Sequence, residues 1–308
     1  MLRVFQVIGR LGIAAVFGIL ATIAAPDAKA KEILKICLEE ESPPYSYKFG
    51  KNIGGFDYQL AQELAARLGR DLTIQWFETE NDEENIPKLE ANALLSAPLC
   101  HLVGGYPMLK AALGSAPQGK FTLPDHEGQK RSERLKLIDL GVVVPSLPYN
   151  RSVYGVIVGP AVTGDITSLD DIAGLRIMSE VATLASAILM RHDGGRLVDH
   201  TSHVSPLEGL FKQMNAGKAD ATLVEVHRFE RFRFRNPDTK LRFSGYIVPI
   251  GINFGFAALD TSNALLDDVN RVLEELAAAG TLEDFAAANH MTLFEPQKPF
   301  VTERIVLP

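Results

Sequence analysis

Cysteine is nearly absent from this chain. Its 308 residues hold two, Cys37 and Cys100, too few for a thiolate-built metal centre, and no suitably spaced histidine accompanies them. His200-x-x-His203 is the one tempting metal spacing, but it lies in a polar stretch whose only nearby carboxylate is Asp199. It reads as a loop, and no metal or cofactor is expected. Positive charge is in deficit, with 31 Lys and Arg against 38 Asp and Glu and a net charge of −7. That balance argues against nucleic acid or an anionic lipid surface as partner. There is no Gly-x-Ser-x-Gly, P-loop or dinucleotide fingerprint. Acidic pairs are scattered as in any acidic protein and suggest no acid–base centre. Repeats and low-complexity segments are missing, and no long apolar run follows residue 30.

Residues 1–30 themselves have the pattern of an export signal. Arg3 and Arg10 precede an apolar run from Leu11 to Ala25, and Ala28-Lys29-Ala30 is a small-x-small cleavage site. The run is shorter than the roughly 20 residues a membrane span needs, so cleavage after Ala30 and a periplasmic location are expected. Cleavage would remove Arg3, Arg10, Lys29 and Asp27, leaving 28 basic and 37 acidic residues, a net charge of −9 over 278 residues. That length suffices for two lobes of ordinary size. In an oxidising compartment, an even pair of cysteines on neighbouring strands points to a Cys37–Cys100 disulfide; two buried thiols are the alternative.

The most patterned stretch begins at Ile33. Ile33 to Leu38 reads as a strand, running into Pro43-Pro44-Tyr45-Ser46-Tyr47. Gly54-Gly55-Phe56 reads as a turn, Asp57 as a helix N-cap, and Leu60, Ala61, Leu64 and Leu68 as the apolar face of a helix ending at Gly69. Arg70 to Trp76 then alternates like a strand. The order of strand, aromatic-proline loop, glycine turn, helix and strand is an α/β unit that turns rings and a helix N-terminus toward one cleft.

These residues resemble the opening of the family 3 extracellular solute-binding proteins, relatives of the periplasmic amino-acid receptors. Gly217-Lys218-Ala219-Asp220-Ala221 before a strand and the helix pair around Leu265–Leu282 are similar to that family in the same order. The resemblance spans nearly all of 32–291. It implies an α/β, type II two-lobe periplasmic-binding-protein fold with a ligand cleft between hinged lobes. The expected segments are 31–148 for the first lobe, 149–248 for the second, and 249–308 for the return and a tail, with crossings near 146–153 and 246–252. A polar insertion over 107–133, either a loose excursion or a lid or docking loop, departs from the family pattern.

The resemblance also implies a site. Tyr45 and Tyr47 stand where relatives place rings around the ligand, and Tyr106 is expected to face the same space. Arg134 matches a carboxylate-gripping arginine. Thr183 is what remains of a Gly-Thr-Thr anion loop, with Ala182 where glycine is usual. Glu225 stands where an Asp meets the ligand ammonium. The run His227 to Arg235 reads either as a solvated helix with Phe229 and Phe232 turned inward or as a cationic docking patch, with Arg231 on its outer face.

These features imply a non-enzymatic, monomeric protein that captures a small polar, amino-acid-like or carboxylate solute for an ABC-type membrane permease. A second resemblance, carried by Cys37 and by Cys100-His101-Leu102-Val103-Gly104-Gly105-Tyr106-Pro107, is to solute-binding-like proteins associated with periplasmic quinoprotein alcohol dehydrogenases. It implies an accessory role with the dehydrogenase as partner.

Overall fold

The computed structural model describes residues 31–79, 87–116, 119–129, 137–206 and 209–305; the expected export signal and Arg134 lie outside them. Glu32–Pro308 forms one compact unit. The unit opens with β1 (Ile33–Glu39), a three-stranded ribbon of β2 (Glu41–Ser42), β3 (Ser46–Phe49) and β4 (Asn52–Gly54), then α1 (Phe56–Arg67) and β5 (Asp71–Glu78). Next come α2 (Pro87–Ser96), β6 (Leu102–Pro107), and the short strands β7 (Gly114–Ser115), β8 (Lys120–Phe121), β9 (Asp125–His126) and β10 (Ile138–Asp139). The long strand β11 (Val142–Val158) leads to β12 (Ile177–Glu180), α3 (Leu184–Arg191), β13 (Thr201–Val204), α4 (Leu210–Asn215), β14 (Ala221–Glu225) and α5 (Val226–Arg235). The chain returns along β15 (Arg242–Leu259) and ends with α6 (Asn263–Ala278), α7 (Thr281–Ala288) and an extended tail.

One sheet runs through the whole unit in the order β13-β12-β14-β11-β15-β6-β1-β5-β9. β1 pairs in parallel with β5 and β6, and β12 with β13 and β14. The antiparallel pair β11–β15 joins the two groups. Buried side chains divide accordingly. Two clusters draw only on residues up to 149 or from 256 onward. The other two draw only on residues from 156 to 250. The segments 146–153 and 246–252, where crossings are expected, are the middles of two long strands. Pro145 and Pro148 sit at register shifts of the β11–β15 ladder, where a residue without an N–H is tolerated.

Three local readings are corrected. Asp57 is not the N-cap of α1; Gly55 is, at φ 113, and Asp57 lies buried in the first turn. A Cβ on Gly55 would come 2.3 Å from the Tyr45 carbonyl oxygen, so only glycine fits there. Glu225 does not follow its strand but ends it, at the N-cap position of α5 without a side-chain capping bond. In the insertion, β7 pairs with β11, β8 with β10 and β9 with β5, so its described residues are stitched to the first lobe rather than loose. The disulfide Cys37–Cys100 is formed, with a Cα–Cα distance of 5.6 Å, and joins β1 to the turn before β6.

Candidate functional site

A cavity of about 410 Å³ lies between the two groups of elements. The first supplies Glu39 at the end of β1, Ser42, Tyr45 and Ser46 from the aromatic-proline loop, Asp57, and Gly104 to Pro107. The second supplies Glu225, His227, Arg228 and Arg231 from the β14–α5 corner. Tyr149, Asn150 and Phe254 of the two long strands form the wall between them.

Helix α5 is placed here by its own pattern. Val226, Phe229 and Glu230 are buried on one side, and the arginines lie on the other faces. The helix reaches across to the first lobe in several places. The Tyr45 hydroxyl donates to Glu230 Oε2 at 3.3 Å, and its ring lies 4.4 Å from that of His227. Arg231 donates to Ser42 Oγ at 2.7 Å, and Arg235 pairs with Glu41 at 3.3 Å. Arg228 holds both oxygens of the buried Glu180, and the Tyr154 hydroxyl donates to Glu225 at 2.9 Å. The expected outer patch is thus corrected: Arg231 lines the cavity, and Arg233 and Arg235 are engaged by the His290 carbonyl and Glu41.

The opposite wall is acidic and buried. Burial raises the Asp57 carboxyl to about 7, opposed by a hydrogen bond from the Tyr149 hydroxyl and reinforced by Glu39. That hydroxyl in turn accepts from the Gly105 N–H at 2.7 Å. Gly105 has φ 63, and a Cβ there would press to 3.2 Å from Asp57 Oδ2. Burial also raises the Glu39 carboxyl, with Arg231 opposing it. His227 is held neutral, its pKa lowered to about 3 by burial and then by Arg231. Its Nε2 and Asp57 Oδ1 are buried atoms without a hydrogen-bond partner.

Of the residues singled out from sequence, Tyr45, Tyr106 and Glu225 come together at this cavity. Tyr47 does not. Alternation along β3 puts its neighbour Ser46 on the cavity side, while Tyr47 stacks on Phe49 at 5.5 Å and packs against Phe234 at 5.0 Å. Thr183 does not either. Its hydroxyl is consumed as the N-cap of α3, accepting from Ser186 N and donating to the Glu180 carbonyl. Arg134 lies outside the described residues. Sequence reading missed Glu39, Asp57, Tyr149, His227, Arg228 and Arg231. For Asp57 the available signal was a carboxylate one residue inside a helix that glycine already starts.

No family model matches the chain. A "Probable amino-acid-binding protein YxeM" of Bacillus subtilis (strain 168) is 22% identical over 277 residues, 89% of this chain and 90% of that one. The L-cystine solute receptor of Neisseria gonorrhoeae, in its unliganded open conformation, superposes with a TM-score of 0.57. It is 16% identical and covers 84% of this chain and 92% of the receptor. The fold is that of a two-lobe periplasmic binding protein. A histidine kinase sensor domain with similarity to periplasmic binding proteins gives a TM-score of 0.49 at 15% identity, covering 86% of this chain and 99% of that domain. The cavity lies between the two groups of buried clusters, with the halves of β11 and β15 divided between those groups. No helix among the described residues is long and apolar enough to cross a membrane.

Proposed function

We propose that this chain is a family 3 periplasmic solute-binding protein that closes on a small polar, amino-acid-like or carboxylate-bearing solute and presents it to an ABC-type membrane permease. One observation carries the reading: a cavity of about 410 Å³, lined by charged and aromatic groups of both lobes, where the two-lobe fold has its cleft. A site of that size suits a small molecule rather than a polymer. Tyr45 and Tyr106 supply rings, Glu225 an anion, and Arg231 a cation that can fork onto a carboxylate. Arg134 stays in the proposal as a further cation. The role is binding, without catalysis, and the protein acts as a monomer.

The accessory role beside a periplasmic dehydrogenase keeps one supporting observation, the disulfide at the two positions that carry that resemblance. Mass spectrometry of solutes released on denaturing freshly purified protein separates the two. A single compound in near-stoichiometric amount is expected. An empty cleft, together with no thermal shift from amino acids or small carboxylates, overturns solute capture in favour of a protein partner.

A further inference from the structure

Most polar groups around the cleft are already satisfied within the protein. Glu225 accepts from Tyr154, Arg228 is held by Glu180, and Arg231 donates to Ser42. Glu230 accepts from Tyr45 and from the Thr292 N–H. Asp57 is different. Its side chain lines the cavity, the residue is only 3% exposed, and Oδ1 meets no donor. The groups that face it are Tyr149 of β11, the Gly105 backbone of β6, Tyr45 of the aromatic-proline loop and Glu39 of β1. None of them is a cation. A buried carboxylate with one hydrogen bond and no counter-charge is unfavourable until something positive arrives.

Resting on the cleft being the ligand site, we infer that Asp57 is the first lobe's anchor for an ammonium group of the solute, which places the ligand among small organic amines. An ammonium supplies the N–H that Oδ1 lacks and the counter-charge that Asp57 lacks. Tyr45 and Tyr106 line the same cavity, and aromatic rings favour a desolvated cation. A solute with only negative charge could meet Arg231 but would leave Asp57 without a counter-charge. The carboxyl's raised pKa has a consequence: below neutral pH a proton occupies the place of the ammonium, and binding must expel it.

The test is calorimetric titration of the full chain and of Asp57→Asn with putrescine, L-lysine and glutarate between pH 5.5 and 8.5. An ammonium-bearing probe is expected to bind the parent protein at pH 8, and to weaken by up to about tenfold per pH unit below pH 7. Asp57→Asn is expected to weaken it at least tenfold at pH 8 and to flatten the pH profile. A melting curve checks that the variant is folded. If it is not, the parent profile decides, and affinity constant across the range overturns the inference. Glutarate bound equally by both proteins, or an amine probe indifferent to Asp57→Asn, sinks the ammonium anchor yet leaves the cleft a solute site. So does a released compound without an amine. A released amine joins the probes and meets the same criteria. Failure of every probe with nothing released removes both readings.

Discussion

Asp57 and His227 face one cavity from opposite lobes with opposite demands on protons. The folded Asp57 carboxyl holds its proton up to about 7, against 3.8 for the unfolded group. Its contribution to stability is therefore full below about pH 4 and is lost as pH rises to 7. The folded His227 refuses a proton down to about 3, against 6.5 unfolded, so its contribution is present above 6.5 and is lost as pH falls toward 3. Each slope is on the order of 1 kcal/mol per pH unit, and between about pH 4 and 6.5 they oppose each other. Relative to the parent, Asp57→Asn should gain stability steadily from pH 4 to 7, and His227→Gln should gain it from pH 6.5 downward. Urea unfolding at four pH values checks both; parallel curves for all three proteins would refute the pair. Glu180 gives a further residue-scale expectation. Its side chain is 3% exposed, and Arg228 holds both its oxygens. Arg228→Ala should cost about 2 kcal/mol, below the 3–5 typical of fully buried pairs because Arg228 is 42% exposed. Thermal unfolding at neutral pH measures it.

At the scale of elements, the turn into α3 carries identifiable strain. Ala182 sits at φ 60, a conformation that costs a residue with a Cβ roughly 1 kcal/mol. Ala182→Gly should raise stability by up to that amount in chemical denaturation, and a loss would show that the turn is not under strain. The disulfide acts over a longer span. It closes a loop between residues 63 apart in sequence, and in the chain-entropy model its removal by a double Cys→Ser change costs about 4 kcal/mol. Much of this was legible in the sequence. α1 and α6 carry their apolar faces at helical spacing and end at Gly69 and Gly280, and β1 and β5 show as short apolar or alternating runs. Much of the site was not. The run from His227 to Arg235 has the composition of a solvated helix, and only tertiary packing shows that Arg231 is turned to Ser42 rather than to water. Asp57 looks like a cap because Asp so often is one. The competing fact, Gly55 at φ 113, is a backbone property that no residue type announces. The full length of β11 was hidden for a related reason: prolines end most strands, yet here Pro145 and Pro148 sit at bulges.

Across the whole molecule, the segment after α7 works as a strap. Thr292 donates to Glu230 of the second lobe at 2.6 Å, Phe294 N to Asn150 of β11, and Gln297 N to Asn253 of β15 at 3.0 Å. Further on, Thr302 exchanges backbone bonds with Met108 and Lys110 of the first lobe. Asn150, Asn253 and Glu230 are each buried. Stopping the chain after Met291 would leave these groups short of partners at roughly 1–3 kcal/mol each. A loss of several kcal/mol is expected in denaturant titration, and a truncated chain as stable as the parent would show that water replaces the strap without cost.

The contacts that span the cleft also set a clock. Tyr45 with Glu230, Arg231 with Ser42, and Arg235 with Glu41 all bridge the lobes on the side where the cavity lies. Under the proposed solute role, opening the cleft requires these bridges to part, which makes exchange a first-order opening followed by a fast encounter. In rapid mixing, the observed rate should stop rising at high solute concentration. Arg235→Ala, which removes a bridge without touching the cavity wall, should lift that ceiling.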